Sequence, residues 1–104
     1  DKKVQFNIQK FFDAINDGDY SYAYSKLDQT YKNNNFPTQT DFENYMKTNF
    51  YAQNKLGYTS YEKNGDLYIY IMVITNGENS SQTIEKQFVV KLLDGTNFVM
   101  SFEK

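Results

Sequence analysis

A chain of 104 residues with eleven Lys, thirteen Asp or Glu and a net charge of −2 is long enough for one domain, and it has no basic block to hold nucleic acid. All its cations are Lys, and without Arg it lacks the preferred fork for phosphate and guanine edges. Without Cys there is no disulfide, thiol nucleophile or thiolate metal site. Without His the commonest metal ligand and near-neutral acid–base group are gone.

Ten Tyr and nine Phe supply a core in place of Trp and are far too many for a disordered segment. Lys, Asn, Tyr, Phe and Ile are the residues of low-GC coding, which itself accounts for most of the Arg deficit. The chain opens at Asp1 in polar, amphipathic sequence with no signal peptide and no spanning segment. Lacking an initiating Met, it reads as a piece of a longer protein with a leader, anchor or further domain upstream.

In residues 2–17 the positions Val4, Ile8, Phe11, Phe12 and Ile15 form one apolar stripe of an amphipathic helix. Gly18 follows at the position where a left-handed backbone ends a helix, and Asp19 can cap the next one. A second helix is predicted over 20–30, with Tyr20, Ala23, Tyr24, Leu27 and Tyr31 on one side. Lys32-Asn33-Asn34-Asn35 breaks it. Phe36-Pro37 is an extended pair. Thr38 with Asp41, or Thr40 with Glu43, has capping-box spacing for a third helix ending near residue 50, with Phe42, Tyr45, Met46 and Phe50 as its stripe.

The period then changes to that of strands. A strand is predicted over 57–63, and Asn64-Gly65 is a hairpin signal of the type whose central residues both take positive φ. Residues 67–75, LYIYIMVIT, form the most apolar run, a central strand buried on both faces and too short to span a membrane as a helix. Residues 76–82 read as a polar loop, 83–93 as the third strand, Asp94-Gly95 as a tight turn and 96–103 as the last strand. Three helices followed by four antiparallel hairpin-linked strands make an α+β domain.

Alternation assigns faces. Leu67, Ile69, Ile71 and Val73, with Ile84, Phe88, Val90, Leu92, Phe98, Met100 and Phe102, are placed beneath the helices, Lys86 interrupting the row. The opposite face then carries Tyr68, Tyr70, Met72 and Ile74, flanked by Val89, Leu93 and Val99 and rimmed by Glu85, Gln87, Lys91, Ser101 and Glu103. An apolar centre in a charged rim has the make-up of a protein contact site. The candidate contact residues are therefore Tyr68, Tyr70, Met72, Ile74, Val89 and Val99. The competing reading is that sheet curvature or the loop near residue 80 covers them.

Chemistry is sparse. No stretch fits a calcium loop, and Asp13, Asp17 and Asp19 sit at a helix junction where capping and solvation explain them. The five Gly are scattered, with no phosphate-cradling loop ahead of a helix. Without His the usual nucleophile triad is impossible. The nameable Tyr/Asp pairs, Asp66 with Tyr68 and Asp28 with Tyr24, fit a turn and a helix end. Neither a cofactor nor a metal is expected.

The helical entry FFDAINDGDYSYAYSKLDQTYK, then FPTQTDFENYMKTNFY, then a hairpin-rich sheet, resembles the nuclear-transport-factor-2-like superfamily over nearly the whole chain. The closest-looking members are small extracytoplasmic domains of low-GC Gram-positive bacteria, following a membrane helix or lipoprotein leader. The N-terminal domain of low-affinity penicillin-binding transpeptidases and domains of conjugation and type IV secretion components are similar in kind.

The resemblance implies a cone, with a bent antiparallel sheet wrapped around the long first helix, and dimers formed through the outer sheet face. Enzymatic members use pocket His, Asp and Tyr; no such motif maps onto this chain, which also lacks the early hairpin between the second and third helices. The expectation is a non-catalytic, extracytoplasmic binding or assembly domain. It would meet a protein, including a second copy, through its sheet face, and a membrane only through a segment outside this sequence. Its rivals are an isomerase- or cyclase-type enzyme or carrier with an apolar pocket, a cell-wall glycan or peptide binder using exposed Tyr, and a cystatin-like fold with one helix.

Overall fold

The computed structural model describes residues 1–94 and 97–104. Helix α1, Lys2–Asn16, starts where the Asp1 carboxylate accepts the Lys3 N–H, and it buries the predicted stripe together with Ala14. It ends at Gly18, whose φ of +78° is the left-handed turn that an L side chain resists. The Asp19 carboxylate then accepts the Tyr22 N–H and caps α2, Tyr20–Ser25.

The single second helix expected from the apolar spacing is two helices, so four precede the sheet instead of three. Between α2 and α3, Gln29–Asn35, the backbone of 26–28 leaves the helix and lies beside the last strand. The Met100 N–H donates to the Lys26 carbonyl, and the Asp28 N–H donates to the Met100 carbonyl, both at 2.9 Å. Leu27 is buried in passing, which is why its spacing mimics a continuous helix. Asp28 caps α3 through the Tyr31 N–H, and residues 32–35, expected to break the helix, lie inside α3. Helix α4, Gln39–Asn49, opens on the Thr38–Asp41 capping box, so of the two candidate boxes the first is used.

Strands β1 (Asn54–Asn64), β2 (Leu67–Asn76), β3 (Asn79–Leu92) and β4 (Phe98–Phe102) form one curved antiparallel sheet in the order β1-β2-β3-β4. The first hairpin turns on Gly65-Asp66, one residue later than expected. Only Gly65 takes positive φ, at +61°, as at the first central position of a type II′ turn. The predicted loop 76–82 shrinks to Gly77-Glu78 because β3 begins at Asn79. Of the predicted Asp94-Gly95 turn, Gly95 lies outside the described residues, while Asp94 accepts the Asn97 N–H.

The core between helices and sheet is aromatic. The Phe88 ring sits 5.3 Å from Phe12, 6.3 Å from Phe11 and 5.1 Å from Phe102. Phe36, Phe42 and Phe50 close it from the α4 side. These ring pairs fill the space that an open cone would leave, mostly edge-on or tilted, with Phe88 and Phe102 stacked at 28° between planes.

The expected faces of β2 are reversed. Tyr68, Tyr70, Met72 and Ile74 point into the core, while Leu67, Ile69, Ile71 and Val73 line the opposite face. The β2–β3 register holds them there. Asn76 lies opposite Asn79, but Thr75 lies opposite Thr83, so residues 80–82 of β3 have no counterparts on β2. An odd number of unmatched residues exchanges the faces that directly opposed residues share. Tyr70 thereby joins Phe88, and Tyr68 joins Val90.

Candidate contact surface

The surface comes from the odd-numbered residues of β2 and β3 and their neighbours. Leu67, Ile69, Ile71 and Val73 run along β2, with Val89 opposite Ile69 and Val99 one strand further, opposite Lys91. All six side chains are half-buried. Glu85 opposite Val73, Gln87 opposite Ile71 and Lys91 opposite Leu67 form the polar rim on β3. On β1, Glu62 opposite Ile69 and Ser60 opposite Ile71 form the other rim.

Of the six predicted contact residues, Val89 and Val99 lie on this surface. Tyr68, Tyr70, Met72 and Ile74 do not, because the core holds them. The four β2 aliphatics that replace them were visible in the sequence but were assigned to the helix side. The predicted strands 67–75 and 83–93, joined by a loop over 76–82, already set Thr75 opposite Thr83 and hence Tyr70 opposite Phe88; the aliphatic make-up of the odd-numbered row, not the register, is what points it to the helix side.

At one corner the surface dips into an open depression of about 220 Å³, lined by Leu67, Val89, Val99, Lys91, Ser101, Met100 and Asp28. The Asp28 carboxylate there is occupied with capping α3.

The displaced tyrosines form a second cluster at the N-terminal end of α1. The Tyr70 ring lies 5.4 Å from Tyr58 and 5.0 Å from Tyr61. Tyr61 stacks on Tyr68 at 6.4 Å, and Lys63 places its amine 5.4 Å from the Tyr68 ring. The Tyr58 hydroxyl donates to the Gln5 carbonyl. Burial, reinforced by Tyr70, pushes the Tyr58 phenol up to about 12, and burial raises Tyr70 as well. Phenols held neutral in this way are hydrogen-bonding and packing groups at physiological pH. Neither predicted Tyr/Asp pair forms a hydrogen bond: Tyr24 donates to the Phe36 carbonyl, and Asp28 accepts from Tyr31.

Asn54 is the buried polar residue of the described chain, and no carboxylate among the described residues is buried with it. No three His, Cys, Asp or Glu side chains among them are grouped to hold a metal ion. No described helix is long and apolar enough to cross a membrane.

No protein-family model matches the chain, and no curated protein matches it. Among solved structures it is similar to an NTF2-like protein of unknown function from Cytophaga hutchinsonii. That similarity has 19% identity and a TM-score of 0.44, covering 92% of this chain and 86% of that one.

Proposed function

We propose that this domain is a non-catalytic binding and assembly module that pairs with a second copy of itself through the outer face of its sheet. The observation that carries this reading is the contiguous row Leu67, Ile69, Ile71 and Val73 with Val89 and Val99, aliphatic side chains left half-exposed by a sheet whose other face holds the buried core residues. Such a patch gains free energy on leaving water.

The face is also self-complementary. A two-fold axis crossing β2 at Tyr70 and β3 at Phe88 sets Ile69 over Ile71 of the second copy and Leu67 over its Val73. The same axis sets Glu85 over Lys91 of the second copy, and the reverse. The depression beside Lys91 then receives Val73 of the second copy.

The filled interior and the lack of a buried carboxylate among the described residues weigh against the isomerase or cyclase reading. The order of elements supports a nuclear-transport-factor-2-like assignment. The extracytoplasmic setting and the Gram-positive, anchored parent protein follow from the sequence resemblance; fractionation of the full-length gene product tests them.

Sedimentation tests the pairing. The unmodified domain sediments as a dimer, and Ile71→Asp sediments as a monomer with unchanged circular dichroism. Glu85→Lys and Lys91→Glu each weaken the dimer, and the double exchange restores it. A wild-type domain that stays monomeric at the highest soluble concentration overturns the reading.

A further inference from the structure

Eight of the nine phenylalanines are no more than 9% exposed; the ninth, Phe6, is 63% exposed. It lies two residues from both Val4 and Ile8 on α1, so at 100° per residue it stands diametrically opposite the buried stripe. Its neighbours at helical spacing are Lys2, Lys3 and Lys10, all exposed. The Lys10 amine lies 5.7 Å from the Phe6 ring and 5.7 Å from the Tyr22 ring of α2. The Lys26 amine also lies 5.7 Å from the Tyr22 ring.

The nearby acids keep their charge but direct it at neutral donors, not at these lysines. Asp1 and Asp19 cap helices, and Asp13 accepts from Gln9. Among the described residues the ion pair is Lys47–Glu43, remote in sequence on α4, and none of these four lysines is in one. An acidic chain thus sets four lysines, none in an ion pair among the described residues, beside the exposed Phe6 and its neighbour Tyr22.

We infer that this face of α1 and α2 docks on a bilayer surface rich in anionic phospholipid, with Phe6 entering the boundary between headgroups and acyl chains and Lys2, Lys3, Lys10 and Lys26 facing the phosphates. An anionic polymer would satisfy the lysines but leave the ring in water. A bilayer interface accommodates both, because lysine stems reach up to the headgroups while an aromatic anchor sits below them. The contact is reversible, since each lysine near such a surface contributes modestly and within a Debye length. The patch lies on the solvent side of the helices, so this inference stands apart from the pairing of sheet faces.

The test is flotation with vesicles of phosphatidylcholine alone and of phosphatidylcholine with phosphatidylglycerol. The protein floats with the anionic vesicles only, and added salt releases it. Lys10→Glu lowers partitioning by at least about fivefold, and Phe6→Ala lowers it by about tenfold. Lys47→Glu leaves it unchanged. The chain has no Trp, so Phe6→Trp installs a single indole whose emission shifts to the blue on anionic vesicles and is quenched by brominated acyl chains. Circular dichroism of each variant matches the wild type, since the side chains are exposed. Equal binding to both vesicle types, no binding, full binding by Phe6→Ala, an equal loss in Lys47→Glu, or capture by polyphosphate without vesicle binding each overturns the inference.

Discussion

The side-chain oxygen of Asn16, at the end of α1, accepts both the backbone N–H of Asn54 at 2.8 Å and its side-chain amide at 2.9 Å. Asn54 in turn accepts the Tyr51 N–H, donates to the Tyr51 carbonyl, and receives the Asn16 amide on its own carbonyl. At 3% exposure, this one residue fixes where the last turn of α1 meets the first residue of β1. Asn54→Ala keeps the two backbone bonds to Asn16 but leaves the Tyr51 N–H and carbonyl without these partners and removes one of the two donors to the Asn16 oxygen, without returning all of them to water. It lowers stability by about 2–3 kcal/mol, read from the urea midpoint at unchanged slope.

Neighbouring residues on β2 have opposite consequences. Met72 is fully buried, and Met72→Ala costs about 2–5 kcal/mol by losing apolar contact and leaving a cavity. Val73, one step along, faces outward, and Val73→Ala costs under about 1 kcal/mol in the monomer. Chemical denaturation at low concentration, where any dimer has dissociated, separates the two. Equal costs would mean that the faces are assigned wrongly.

The two sequence candidates for the α4 cap give a direct comparison. The Thr38 hydroxyl accepts the Asp41 N–H, and the Asp41 carboxylate accepts the Thr38 N–H. Thr38→Ala destabilises by about 1 kcal/mol. Thr40, exposed in the first turn, tolerates the same change within about 0.5 kcal/mol. Thermal midpoints rank them.

Alkaline pH weakens the fold through tyrosine. Burial raises Tyr31, Tyr58 and Tyr70 above the usual value of 10.0. The unfolded chain therefore loses these protons first, and stability present below pH 10 declines as pH climbs. For Tyr58 the decline runs from about 10 to about 12. Denaturation midpoints measured across that interval fall, and Tyr58→Phe shows a shallower fall because one of the titrating phenols is gone. A flat profile would mean that these rings are already open to water.

What could be read in the sequence was local. The α1 stripe, the Gly18 stop, the Asp19 cap and the Thr38 box each depend on residues within a few positions of one another, and each is found where expected. The faces of β2 depend on a relationship between strands. Both rows of that strand are apolar, so alternation marks two sides without saying which is inside. The deciding relationship is the pairing of Tyr70 with Phe88 across β2 and β3, which alternation within a single strand does not use. Tyr70→Asp, the substitution an outward-facing Tyr70 would suggest as a probe of self-association, instead puts a carboxylate in the core. Its outward neighbour Ile71 is the position for that experiment. The splitting of the second helix was hidden for a similar reason. Leu27 keeps helical spacing, while its backbone is claimed by Met100 from the far end of the chain.

That claim on Met100 also closes one side of the sheet. Lys26 and Asp28 take up the amide and carbonyl of Met100, and the Tyr31 hydroxyl donates to the Phe102 carbonyl at 2.7 Å. The margin of β4 thus has little left to offer another strand, whereas β1 keeps an open border along its outer side. Ribbon-like growth requires two receptive borders per molecule, so strand addition stops after one event. A domain with a greasy outer face is thereby kept from templating fibrils, even when crowded.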